Sequence, residues 1–234
     1  LTSAGFDRVP MDYVKKHGIK IHNARGVYSI PMAEHALAGV LQLYKHMGFF
    51  RENQKQHIWE KHRGLLELSG KTVCILGCGS VGTECAKRFS AFDCRVTGIA
   101  TTGREQPFFD VVVPVGEMES MLDQSDVLVV TIPLTAETRH LIDGERLNRL
   151  KSGAILVNIA RGEIVDTDAL VAALRAGHLA GAVLDVFEEE PLGADSLLWD
   201  MENVILTPHN SFVGDNSQDR LTHVILSNVK NWRK

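Results

Sequence analysis

The stretch "KTVCILGCGSVGTECAKRFSAF", residues 71–92, decides the fold. Residues 71–76 form a short apolar run of strand type, and residues 81–92 carry the spacing of a helix. Between them, Gly77, Gly79 and Gly82 stand in the G-x-G-x-x-G arrangement. In that arrangement the first glycine makes a tight turn and the second lets backbone approach a pyrophosphate. The third lets the helix pack close to the strand, with the phosphates at the helix N-terminus around Ser80 and Val81. A glycine-rich packing turn could share the spacing. Context separates the two readings, because this motif follows a strand, opens a helix and heads a series of βα units.

Outward from that stretch, residues 95–100, 127–132, 154–159, 179–186 and 203–208 read as further strands. Helical patterns separate most of them. In residues 167–177, Leu170, Ala173 and Leu174 share a face and Gly177 supplies the stop. Such alternation predicts an α/β fold, a doubly wound parallel sheet of Rossmann type with right-handed crossovers, over residues 24–208. Residues 1–23 fall outside it; the first 22 read as strand, short helix and strand. Residues 31–50 read as one helix with apolar positions 36, 37, 40, 41, 44 and 47 on a face. Residues 209–234 read as a hinge and a closing helix, with Leu221, Ile225, Val229 and Trp232 on one stripe that packs outside the sheet domain. The opening "LTSAGFDRV" has no Met and starts like a strand already under way, which reads as a longer protein cut short.

Composition narrows the function classes. Of 234 residues, 44% are hydrophobic and 23% charged, ample for a packed core with an ordinary polar surface. A net charge of −4 supplies no electrostatic attraction to nucleic acid or to an anionic membrane. No apolar run has the length of a transmembrane helix, and no signal peptide opens the chain. Cys74, Cys78, Cys85 and Cys94 lack the paired spacing of a zinc site and read as reduced thiols of a cytoplasmic protein, with no metal.

The end of the second strand bears on the cofactor. Eighteen positions beyond Gly82 stands Ala100, where an acidic residue would accept hydrogen bonds from a ribose 2′-hydroxyl and repel a 2′-phosphate. Ala100, Thr101 and Thr102, with Arg104 close by, remove the repulsion and offer hydroxyls and a cation. That favours NADP, or dual use, over strict NAD. If Arg104 is only a solvated loop charge, NAD binds with less help.

The chemistry-bearing residues follow strands. Arg161 comes after the apolar run 155–157, Asp185 and Glu190 sit in "LDVFEEEPL", and His209 in "LTPHNSF". Ligand sites of open parallel sheets lie past the carboxyl ends of the strands, so all can converge on the edge that holds the dinucleotide. Arg, Glu and His on such an edge suit reduction of a keto acid. The Arg fork holds a carboxylate and polarises the carbonyl. His gives or takes a proton, and Glu holds the imidazole and favours its charged form. The nicotinamide supplies the hydride. Taken singly, a lone His after a strand is more often structural, and "EEE" is usually a solvated turn.

Together these segments resemble the D-isomer-specific 2-hydroxyacid dehydrogenases. "NIARGEIVDTDALVAALRAGHLAGAVLDVFEEEPL" and "LWDMENVILTPH" are similar to the family's signature region, with twenty-nine residues from Arg161 to Glu190 and nineteen from Glu190 to His209. "LSGKTVCILGCGSVG", "TIPLTAETRHLI" and "NARGVYSIPMAEHAL" resemble its cofactor-domain blocks, in the same order. The resemblance implies Arg161 as the substrate-binding catalytic Arg, His209 as acid–base and Glu190 as its partner. It also implies that residues 1–23 are the remnant of a second, substrate-binding domain, that Pro133 lies in the adenine pocket and that Asp185 holds the nicotinamide carboxamide. With the glycine loop at Gly77, Gly79, Ser80, Val81 and Gly82, the turn at Thr101, Thr102 and Arg104, and the strand ends at Ile132, Ile159 and Ala160, these make up the expected cofactor contacts. "TSAGFD" resembles the loop whose amides, around Ser3, Ala4 and Gly5, bind the substrate carboxylate. A homodimer is implied too, with helix 31–50 as a contributor unless its apolar face packs within its own domain.

Three departures stand out. Ala100 replaces the usual acid. Asn210, Ser211 and Phe212 replace small residues after the catalytic His and are expected to reshape the substrate pocket. Arg25 adds a cation near the hinge. The expected reaction is NAD(P)-dependent interconversion of a small 2-keto acid, such as glyoxylate, hydroxypyruvate or pyruvate, with its D-2-hydroxy acid. The rival readings are a dinucleotide-sensing, corepressor-like protein and a 3-phosphoglycerate dehydrogenase.

Overall fold

The computed structural model describes residues 1–5 and 9–232. In chain order the elements are α1 (Met11–Lys16), α2 (Ser29–Tyr44), α3 (Met47–Lys55), β1 (Thr72–Leu76), α4 (Ser80–Ser90), β2 (Arg95–Ala100) and β3 (Val111–Pro114). There follow α5 (Met118–Leu122), β4 (Val127–Val130), α6 (Gly144–Arg149), β5 (Ala154–Asn158), α7 (Thr167–Arg175), β6 (Leu179–Leu184), β7 (Val204–Leu206) and α8 (Ser217–Trp232).

The seven strands form one parallel sheet in the order β3-β2-β1-β4-β5-β6-β7. The order reverses direction between β1 and β4, so the crevice of a doubly wound fold opens there. The central strands are apolar on both faces because both faces are covered. Val73, Ile75, Val127, Val129, Ile155 and Val157 meet Ala33, Ala36, Val40, Cys85 and Phe89 of α2 and α4. The alternate residues Cys74, Leu76, Leu128, Val130 and Leu156 meet Met118, Leu122, Leu147, Leu170 and Leu174 of α5, α6 and α7. Burying one such Val, Leu, Ile or Phe side chain stabilises the fold by about 1.5–3 kcal/mol, which is why the strands read as continuous apolar runs.

The structure corrects several expectations. A seventh strand, β3, joins the six expected: Val111–Val113 is a β-branched run, and the strand is only four residues long, lies on the sheet edge and ends in Pro114, which contributes no N–H to a ladder. The single helix expected over 31–50 is two. His46 adopts a left-handed conformation (φ 47°) that breaks the run while keeping the Tyr44 ring buried. Residues 1–5 and 9–22 contain a short helix but no strand. The segments that would pair share few bonds, such as Ala24 N–H to Ser3 O at 3.0 Å, too few for a ladder. The apolar face of α2 packs largely on α4 and the sheet, with Ala36, Val40 and Tyr44 buried, while Leu37 and Leu41 are partly covered and Met47 of the expected face is exposed. α8 begins as expected, tied by Arg220 Nε to Val27 O at 2.7 Å, and leaves Ile225, Leu226 and Val229 exposed. Of its expected stripe, the Trp232 side chain lies outside the described residues, as do residues 233 and 234.

Candidate active site

The glycine loop lies between β1 and α4, at the crevice. Gly77 has φ 105°, and a Cβ there would stand 2.9 Å from Thr131 Oγ1 and Ile132 Cγ2. A Cβ on Gly82 would fall 1.9 Å from Gly77 O, so the helix could not sit against the strand. A Cβ on Gly79 would meet nothing within 4 Å. The outer glycines are thus required by the chain itself, while the middle one faces open space. Ahead of it, the N–H groups of Ser80, Val81 and Gly82 stand in the first turn of α4, where a helix has no internal acceptors. Open space in front of unpaired donors is the shape a pyrophosphate fills. Thr131 pins the loop from β4, its hydroxyl donating to Gly77 O at 2.8 Å.

Cys78 occupies the variable position of that loop, half-buried with its thiol toward Ile99 O. Burial, with Cys74 beside it, pushes the Cys78 thiol up to about 12, so it stays protonated and is no nucleophile at neutral pH. Beyond Ala100, where β2 ends, Thr101, Thr102 and Arg104 are all exposed. Ile132 touches the glycine loop, Pro133 is exposed beside it, and Ile159 and Ala160 are buried after β5.

The reactive groups follow three adjacent strands. Arg161 comes after β5, Asp185 and Glu190 after β6, and His209 after β7. The Arg161 turn is held by Asn158, a buried residue whose amide donates to Arg161 O at 2.9 Å and accepts from Ala160 N–H at 3.1 Å. Arg161 itself is half-buried, and its guanidinium donates to Ala160 O at 2.6 Å. Gly162 lets this turn press on the next loop, since a Cβ there would lie 1.9 Å from the Phe187 carbonyl carbon.

Glu190 and His209 form a dyad, with Nδ1 2.8 Å from Glu190 Oε2. The other Glu190 oxygen accepts Phe187 N–H at 3.1 Å, which fixes the carboxylate's aim. A carboxylate partner at Nδ1 puts a proton there and leaves Nε2 to exchange one with a ligand. His209 also sits at φ 50°, a conformation that costs a non-glycine residue about 1–3 kcal/mol and persists only where the surroundings impose it. Asp185 imposes it. This fully buried residue accepts Asn210 and Ser211 N–H at 2.7 and 2.9 Å, while its own carbonyl takes His209 N–H at 2.8 Å. Phe212 packs edge-on to both His209 and Tyr28, with centroids 6.3 and 5.7 Å apart.

Ser3 and Ala4 are exposed and Gly5 is partly covered. Their loop is fastened to the entry of α2 by Ala24 N–H on Ser3 O and by the Asn23 amide on Ala4 O. Phe6 and Asp7 of the same stretch lie outside the described residues. Sequence reasoning missed Asn158, Thr131, Thr207 and His35. Asn158 could have been found as a polar residue inside an apolar strand run. Nothing marks His35 within its helix. Among the described residues, no group of three or more His, Cys, Asp and Glu side chains could hold a metal ion, and no helix is long and apolar enough to cross a membrane.

A seven-stranded parallel sheet with this order, and a glycine loop open toward a helix N-terminus at its switch point, defines a Rossmann-type dinucleotide-binding domain. The model for the D-isomer specific 2-hydroxyacid dehydrogenase NAD binding domain matches residues 37–211. Glyoxylate reductase from Pyrococcus horikoshii is 35% identical over 236 residues, spanning 97% of this chain and 70% of that protein. A D-isomer specific 2-hydroxyacid dehydrogenase from Xanthobacter autotrophicus, solved with NADPH and MES, is 34% identical with a TM-score of 0.78, over 88% of this chain and 84% of that one. D-lactate dehydrogenase from Aquifex aeolicus, solved with NAD and lactic acid, is 32% identical with a TM-score of 0.85, over 98% and 74%. The chain belongs to the D-isomer specific 2-hydroxyacid dehydrogenase family, enzymes that use NAD(P).

Proposed function

We propose that this enzyme reduces glyoxylate, or a 2-keto acid as small as hydroxypyruvate or pyruvate, to the 2-hydroxy acid, with NADPH preferred or shared with NADH. The observation that carries the reading is the His209–Glu190 dyad, 2.8 Å long, on the same sheet edge as the open glycine loop. The likeness to glyoxylate reductases supports the substrate class, and Phe212 standing against His209 supports a small one.

The residues take these roles. Gly77, Gly79 and Gly82, with the Ser80 and Val81 amides, cradle the pyrophosphate, and Thr101, Thr102 and Arg104 receive the adenosine ribose with or without its phosphate. Ile132, Pro133, Ile159 and Ala160 line the cofactor side, and Asp185, fully buried with both carboxylate oxygens bonded within the chain, braces the His209 loop from beneath. Amides around Ser3, Ala4 and Gly5 hold the substrate carboxylate, and Arg161 holds carboxylate and carbonyl together, so that the carbonyl is polarised and cannot rotate away. When bound, the reduced nicotinamide supplies the hydride to the carbonyl carbon. His209, protonated on both nitrogens, gives its Nε2 proton to the carbonyl oxygen as that oxygen gains negative charge. Glu190 keeps the Nδ1 proton and steadies the imidazolium beforehand. In the reverse direction Nε2 takes the hydroxyl proton.

A homodimer belongs to the same proposal, on a different surface from α2. After α3 the chain runs outward and exposes Trp59 almost completely (97%), along with Ile58, Leu65 and Leu66. Four free thiols fit a reducing, cytoplasmic setting.

Nicotinamide absorbance read across glyoxylate, hydroxypyruvate and pyruvate, each with NADH and with NADPH, tests the assignment. The expected outcome is turnover of at least one of these acids and a kcat/KM for NADPH equal to or above that for NADH. Cofactor binding without turnover of any acid would move the assignment to a dinucleotide-sensing protein.

A further inference from the structure

A chain of hydrogen bonds runs from α2 to the loop that carries His209. The Thr207 hydroxyl lies 2.5 Å from Asp185 Oδ1, and the same carboxylate accepts the backbone amides of Asn210 and Ser211. Amide N–H groups can only donate, so both Asp185 oxygens are acceptors here and the single hydroxyl proton of Thr207 points to Oδ1. Thr207 Oγ1 can then only accept from its remaining neighbour, His35 Nε2, 3.1 Å away on α2. That requires the proton of the His35 ring to sit on Nε2. α2 is the fixed end of this chain, since Ala33 and Ala36 on either side of His35 are fully buried against the sheet and α4. At the other end is a histidine whose backbone is held in the left-handed region.

We propose that His35 is a positioning residue for the reductase reaction: its Nε2–H, acting through Thr207 and Asp185, holds the strained turn that aims His209. The inference rests on His209 serving as the acid–base group. His35 touches neither substrate nor cofactor in this scheme. Its loss therefore reads out in the proton-transfer step, while substrate binding, set by Arg161 and the Ser3–Gly5 amides, is left alone.

The test compares wild type with His35→Leu, His35→Gln, Thr207→Val, the His35→Leu/Thr207→Val double variant and His209→Ala. Glyoxylate is the probe, with the better of NADH and NADPH at saturation, and kcat and KM are read separately. His35→Leu is expected to lower kcat about tenfold, the scale of one lost hydrogen bond, with KM close to wild type. His35→Gln, whose amide can donate from the same reach, restores most of the rate. Thr207→Val reproduces the loss, and the double variant is no slower than the worse single one, because both break the same chain. Should His35→Leu fail to fold, Thr207→Val against Thr207→Ser carries the comparison, with Ser restoring the rate. An unchanged kcat in His35→Leu, a Gln variant as slow as the Leu variant, or fully additive losses would each overturn the proposal. A His209→Ala enzyme that still turned over glyoxylate would instead remove the reading of the site on which it rests.

Discussion

Three consecutive glutamates, residues 188–190, look alike as sequence, and the fold gives two of them different partners. Glu190 pairs with His209, whereas Glu188 bonds His140 Nε2 at 3.0 Å and accepts Thr167 N–H at 3.0 Å at the start of α7. Partial burial alone would push the Glu188 carboxyl up, but the bonds from Thr167 and His140 outweigh it and hold the group below the ordinary 4.5. A carboxyl lowered in the folded state stabilises above its ordinary value, and that contribution is lost as pH falls through the lower, folded value. Glu188→Gln is therefore expected to cost less than about 1 kcal/mol near pH 6, since the pair is partly solvated. The gap from wild type should narrow as pH falls below the ordinary 4.5 and the Glu188 carboxyl takes up its proton. Urea midpoints of both proteins against pH check this, and a gap that widened as pH fell below 4.5 would contradict it. Residue types and spacings single out Arg161, Glu190 and His209 in the sequence alone. The partners of Glu188 were not legible, because His140 lies forty-eight positions away and meets it only once β4, β5 and β6 are side by side.

The elements that could be read in advance were those whose periodicity coincides with their burial. β1, β2, β4, β5 and β6 are covered on both faces, so composition alone marks them. β3 carries a local signal in Val111–Val113 but is short and closed by Pro114, whereas the break at His46 is a tertiary outcome, since "YKHMG" contains no proline and no glycine at the breaking residue. The glycine loop is where local chemistry and packing agree most closely, and its glycines are not equivalent. Gly82→Ala is expected to fail structurally, by several kcal/mol or by not folding, because its Cβ would overlap Gly77 O. Gly79→Ala has room for its methyl and should melt within a few degrees of wild type, yet bind NADPH at least tenfold more weakly. Thermal melts and nicotinamide fluorescence titrations separate the two effects. Undiminished affinity in Gly79→Ala would mean that the open space at residue 79 is not the phosphate cradle.

At the scale of the whole molecule, topology follows from the right-handed βα alternation, and the site follows from topology, since Arg161, Asp185 and His209 close successive neighbouring strands. The surface that meets other molecules does not follow in the same way. The apolar face of α2 reads as an interface candidate and is largely covered by α4 and the sheet, while the exposed Trp59 lies in a polar stretch that patterning passes over. If that arm joins two copies, Trp59→Ala should shift the mass measured by light scattering after size exclusion from dimer toward monomer; a wild type that elutes as monomer would remove the dimer. The catalytic reading stands or falls on His209. The decisive comparison is the glyoxylate reduction rate of His209→Ala against wild type, with NADPH affinity measured on the same samples by fluorescence. The expected result is a rate lower by about 10²–10⁴-fold with affinity unchanged, as removal of an acid–base group requires. A variant that kept its rate within a few-fold of wild type would show that His209, for all its strained presentation beside Glu190, is not the proton donor.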